Sequence, residues 1–128
     1  MFEAALLIEK LEQIQEALAR VQRRFVGIEK VDIFLDSDEG LDKLDAICMM
    51  FLAVGESFKK IDAETKGAFL PCYPEINWKG VKGLRDVLSH HYFNIDAEEI
   101  FFICQNNLEP LQRIVEKMIN DIKKGCAC

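Results

Sequence analysis

Histidine and tyrosine are scarce in this chain, two of each among 128 residues, and both histidines precede one of the tyrosines directly. Proline occupies three positions and glycine seven, so few residues interrupt regular helix. Strand-like alternation is nearly absent, and no repeat of about 20 to 50 residues or low-complexity tract occurs. No apolar run reaches the roughly 18 to 20 residues that span a bilayer. The longest, 46–54, is bracketed by Asp45 and Glu56. Basic residues are outnumbered, 16 against 22 acids, and the net charge of −6 excludes a surface built to coat nucleic acid generally. The start, Met1-Phe2-Glu3, lacks the basic, apolar and small-residue parts of a signal peptide, which places the expected location in the cytoplasm. No carboxylate or His/Cys group has metal-ligand spacing, so neither a metal nor a cofactor is expected.

Five cysteines are too many to ignore and odd in number. Cys48, Cys72 and Cys104 stand alone in sequence, which argues against a disulfide framework. Cys126 and Cys128 close a Lys-Lys-Gly-Cys-Ala-Cys tail that lacks the four-residue prenylation box. The division expected is one helical domain over 1–122 and a short Cys-containing tail over 123–128.

What is present is amphipathic helix. Leu7, Leu11, Ile14, Leu18, Val21 and Phe25 recur in steps of four and three, which keeps them on one seam of a helix that Gly27 ends. Residues 28–36 fit either a helical turn or an extended connector. Ser37 followed by Asp38 and Glu39 reads as an N-cap with first-turn acids. A long helix then runs to about Lys60, with Leu41, Leu44, Ile47, Cys48, Phe51, Val54, Gly55, Phe58 and Ile61 on its broad apolar face. Gly55 inside it signals close approach by another helix. Asp62 is expected to cap a short helix before the loop Pro71-Cys72-Tyr73-Pro74. Asn77 caps the next helix, with Trp78, Val81, Leu84 and Leu88 turned inward and an end near Tyr92. Asp96-Ala97-Glu98-Glu99 is a capping box, and Asn106 or Asn107 starts a last helix carrying Leu111, Ile114, Val115, Met118 and Ile122. The class is all-α, an up-and-down bundle of four or five principal helices.

The charge is uneven. Residues 31–64 carry nine acids against three lysines, whereas 77–92 carry Lys79, Lys82 and Arg85 against Asp86 alone. In that basic stretch lies Gly83-Leu84-Arg85-Asp86-Val87-Leu88-Ser89-His90-His91-Tyr92. A guanidinium forks onto phosphate oxygens, an imidazole moves protons near neutrality, and a phenol can accept a nucleotidyl group. Each also has an ordinary use. An Arg-Asp pair on a helix is commonly a solvated contact contributing under about 1 kcal/mol, histidines at a helix end complement its dipole, and a terminal Tyr caps a core.

The order of elements, the Gly55-Glu56 pair, and the pattern Arg-x4-His-x-Tyr at Arg85, His90 and Tyr92 resemble the HEPN superfamily, and within it the HepT-like proteins, over nearly the whole chain. That resemblance implies a homodimer whose two motifs face each other across a cleft. It implies a metal-independent endoribonuclease toxin, with RNA as substrate and with neither DNA nor a membrane as partner. Arg85 would neutralise the scissile phosphate. His90 would serve as base or acid while the 2′-hydroxyl attacks phosphorus, giving a cyclic phosphate. Tyr92 matches the tyrosine that a minimal nucleotidyltransferase antitoxin, encoded beside the toxin, adenylylates. His91 is the rival histidine, and Asp86 and Lys82 are possible accessory residues. On one regular helix five positions set His90 about 140° from Arg85, so either the helix ends near Ser89 or the two meet across the dimer axis. Two other functions compete: a non-catalytic adaptor that presents nucleotide or substrate to a nucleotidyltransferase, and a plain dimerisation module.

Overall fold

The Leu7–Phe25 seam forms the first helix, α1 (Ala4–Phe25), in a computed structural model that describes residues 3–125. Leu11, Leu18 and Val21 are wholly buried, and α1 packs against both the third and the last helix. Gly27, at φ +85°, turns the chain away where an L side chain would be strained. The ambiguous 28–36 stretch contains a single helical turn, α2 (Asp32–Leu35), whose Phe34 is buried.

Ser37 is the cap expected of it: its Oγ accepts from the Gly40 N–H at 2.9 Å and opens α3 (Asp38–Glu64). Here the structure corrects two expectations. Leu41 is exposed, because α2 lies against Gly40, whose missing Cβ leaves room for the Ile33 carbonyl, and this sets the helix rotation. The second correction is at the helix end. Ile61 is wholly buried on the same stripe, and so the helix continues past Lys60 to Glu64. Asp62 therefore sits inside α3 and caps no new helix. The Thr65 hydroxyl donates to the Ile61 carbonyl at 2.8 Å, and Gly67 at φ +75° completes the stop.

The proline-rich segment contains one 3₁₀ turn (Leu70–Cys72), and Tyr73 pins it to the far side of the domain by donating to Asp121 Oδ2 at 2.9 Å. Trp78 joins the core rather than a binding face. Its Nε1 donates to the Tyr73 carbonyl at 2.9 Å, and its ring lies 4.9 Å from that of Phe58. Asn77 caps α4 (Trp78–His90) through a 3.0 Å bond from the Gly80 N–H. A second 3₁₀ turn (Tyr92–Asn94) leads to α5 (Ala97–Asn106), capped by Asp96, and α6 (Leu108–Lys123) follows with Pro110 harmless in its first turn.

Six α-helices therefore build an all-α domain with no strand among the described residues, and five of the six are longer than one turn. None is long and apolar enough to cross a membrane. Cys48 and Cys104 are buried free thiols. Cys126 and Cys128 lie outside the described residues.

Phe58, on α3, is wholly buried and packs against the Trp78 ring. Phe58→Ala is expected to lower unfolding free energy by about 3–5 kcal/mol through lost burial and an unfilled cavity. Urea denaturation followed by circular dichroism measures it.

Candidate active site on the α3–α4 seam

Helices α3 and α4 run antiparallel, as three pairs show in order: Asp45 with Tyr92, Glu56 with Arg85, and Asp62 with Lys82. The two helices approach tightly at Gly55. A Cβ there would lie 2.5 Å from Arg85 Cβ and 3.0 Å from its Cγ. The absent side chain is what lets the Arg85 stem lie against α3, and it leaves that side chain only 16% exposed.

Two carboxylates hold the guanidinium. Nε donates to Glu56 Oε1, and Nη1 donates to Asp86 Oδ1 at 2.9 Å. The Nη2 edge carries no hydrogen bond among the described residues, so one side of the fork stays available to an incoming oxyanion. Asp86 and then Glu56 raise the Arg85 pKa, and the Arg85 hydrogen bond is the first cause of the depressed pKa of Asp86. A cavity of about 290 Å³ opens here, lined by Gly55, Lys59, Asp62, Lys82, Arg85 and Asp86 among others. Lys82 is tied to Asp62, which offsets much of its charge.

His90 closes α4 and is exposed. It makes no hydrogen bond to Arg85 among the described residues; the helix is regular through both, and they lie on different faces. Asp86 is the link between them. It binds Arg85 directly and sits one turn before His90, whose charge also lowers the Asp86 pKa. His91 has left the helix, at φ −135° and ψ 39°, and its N–H donates to the Val87 carbonyl at 2.8 Å. The two imidazole centroids are 6.5 Å apart.

Tyr92, one residue beyond the cap, swings back to α3. Its phenol donates to Asp45 Oδ1 above Cys48, at a cavity of about 390 Å³ walled by Met49, Leu52 and Leu88. Burial, and then the bond to Asp45, push the phenol well above its ordinary pKa. Burial, and then the Asp45 charge, push the Cys48 thiol up to about 12, so it is an inert wall rather than a nucleophile. Another cavity, of about 440 Å³, lies on the opposite edge of α4 between Val81, Leu84, Ile103 and Leu111, away from the motif. No group of three or more His, Cys, Asp or Glu among the described residues is placed to hold a metal ion.

Two partners of the motif were given no site role from sequence: Glu56, noted only as half of the Gly55-Glu56 pair, and Asp45. A signal was there. Asp45, Cys48, Leu52, Gly55 and Lys59 recur in steps of three and four along α3, a mixed polar stripe that faces α4.

The chain resembles known proteins over most of its length. A family model described as "Ribonuclease HepT-like" matches residues 7–118. A Methanocaldococcus jannaschii protein named "Putative RNase MJ0127" is 35% identical over 78 residues, which is 61% of each chain. A second from that organism, "Putative RNase MJ1216", is 30% identical over 78 residues, again 61% of each. The matched segment thus spans less than two thirds of these relatives. No solved structure matches significantly. With the family model reaching from α1 into α6 and taking in Arg85, His90 and Tyr92, the chain belongs to the HepT-like ribonuclease family.

Proposed function

We propose that this protein is an endoribonuclease toxin, working as a homodimer and held in check by a minimal nucleotidyltransferase that adenylylates Tyr92. The observation that carries the reading is the half-hidden Arg85 fork, oriented by Glu56 and Asp86 with its Nη2 edge free. A guanidinium fixed in this way meets a phosphate without first losing side-chain freedom. In the cleavage step Arg85 stabilises the charge that grows on the phosphoryl oxygens. His90 takes the proton from the 2′-hydroxyl as its oxygen bonds to phosphorus. The bond from phosphorus to the 5′-oxygen breaks, that oxygen leaves with the electron pair and takes a proton from water, and the products are a 2′,3′-cyclic phosphate and a 5′-hydroxyl. A second copy across a two-fold axis would bring another cation and imidazole to the same phosphate, which suits His90 facing away from its own Arg85.

Arg85→Ala tests this. RNA cleavage is expected to fall about a hundredfold to a thousandfold, the usual loss when a group stabilising transition-state charge is removed. Labelled RNA, with product ends identified by phosphatase and kinase sensitivity, measures it. Unchanged cleavage, or 5′-phosphate products, rejects the scheme. The adaptor reading draws on one observation, the two carboxylates that already occupy Arg85. It predicts nucleotide binding without RNA turnover in the same assay.

A further inference from the structure

Tyr92 is the residue whose surroundings the cleavage scheme leaves unused. It is half-buried, beyond the end of α4, and aimed at α3 rather than at Arg85. Its phenolic hydrogen is directed at a carboxylate: Oη donates to Asp45 Oδ1. Asp45 is exposed on the outer edge of the Tyr92 cavity, so the oxygen pair reaches a surface that a second protein can approach.

Building on the modification reading above, we infer that Asp45 is the base that takes the Tyr92 proton when the phenol accepts a nucleotidyl group. A phenol ionises near pH 10 and is a weak nucleophile at neutral pH unless a neighbouring base removes its proton as it attacks. The titratable groups that act on this phenol both come from α3: Asp45, and Cys48, which keeps its proton. The α4 side of the cavity is closed by Leu88, which is apolar. A preformed phenolate is disfavoured in this setting by burial and by the Asp45 charge, so the proton leaves while the new bond forms. In the step itself, Tyr92 Oη bonds to the α-phosphorus of a nucleoside triphosphate held by the partner enzyme. The bond from that phosphorus to the bridging oxygen breaks, pyrophosphate departs with the electron pair, and the proton passes to Asp45.

Asp45→Asn keeps the shape and the hydrogen-bond acceptor at an exposed position and removes only the basicity. With the adjoining-gene nucleotidyltransferase and ATP, followed by intact mass over time, it is expected to be modified about a hundredfold more slowly than wild type at pH 7, a typical contribution of general-base catalysis. The deficit should shrink between pH 7 and 9, because hydroxide then replaces the lost base. A deficit that stays constant with pH overturns the assignment, since a merely structural change behaves in that way. Equal rates for Asp45→Asn and wild type overturn it too, while leaving Tyr92 modification standing. No mass gain in wild type, or an undiminished gain in Tyr92→Phe, removes the modification reading and this inference together.

Discussion

His90→Ala is expected to lower RNA cleavage by about a thousandfold, within the range attributed to a lost general acid–base. His91→Ala should keep most of the activity. The two imidazoles are adjacent in sequence but differ in setting. His90 is the last residue of α4, one turn after Asp86 and electrostatically coupled to it. His91 has non-helical dihedrals, and its backbone serves to close the helix on Val87. Both side chains are exposed, so neither substitution should disturb the core, and a circular dichroism melt of each variant checks that. Single-turnover cleavage of a labelled RNA then compares chemistry alone. A fully active His90→Ala with a dead His91→Ala would transfer the proton-shuttle role to His91.

Gly55→Val should be the most disruptive single change on the seam. The added Cβ would come within 2.5 Å of Arg85 Cβ, an atom fixed to the α4 backbone and unable to rotate aside. The helices must therefore separate. Overpacking of this kind costs about 1–3 kcal/mol, while leaving glycine in a helix interior returns at most about 1 kcal/mol. Net destabilisation of about 1–2 kcal/mol is expected, together with loss of the Arg85–Glu56 pairing and at least a tenfold fall in cleavage. Gly83→Ala is the control. Nothing lies within 4 Å of a Cβ at that exposed α4 position, so alanine should stabilise by about 0.5–1 kcal/mol and leave activity intact. Equal unfolding midpoints for Gly55→Val and wild type would show that α4 is not held against α3 in the way described.

Much of this architecture can be seen in the chain before any folding. Ser37, Asn77 and Asp96 each cap the helix that their side chains and following residues announce, because capping is a contact within three residues. The Leu7–Val21 seam is buried as its period requires. The extension of α3 past Lys60 was not legible, because Asp62 looks like a cap until Lys82, twenty positions on, arrives to pair with it. Leu41 was misplaced for a related reason: the rotation of α3 is set by α2 lying against Gly40, and nothing in the spacing of Leu41 records that.

The candidate site divides along the same line. Sequence alone picked out the candidate residues, Arg85, His90 and Tyr92, and set them along and just past a capped helix, since residue type, spacing and helix termini are local properties. Only the tertiary structure decided their partners. Glu56 and Asp45 are polar residues on a helix, and such residues look solvated until another backbone packs over them. The absent side chain at Gly55 permits that packing, and once α4 lies there the two carboxylates meet a guanidinium 29 positions away and a phenol 47 positions away.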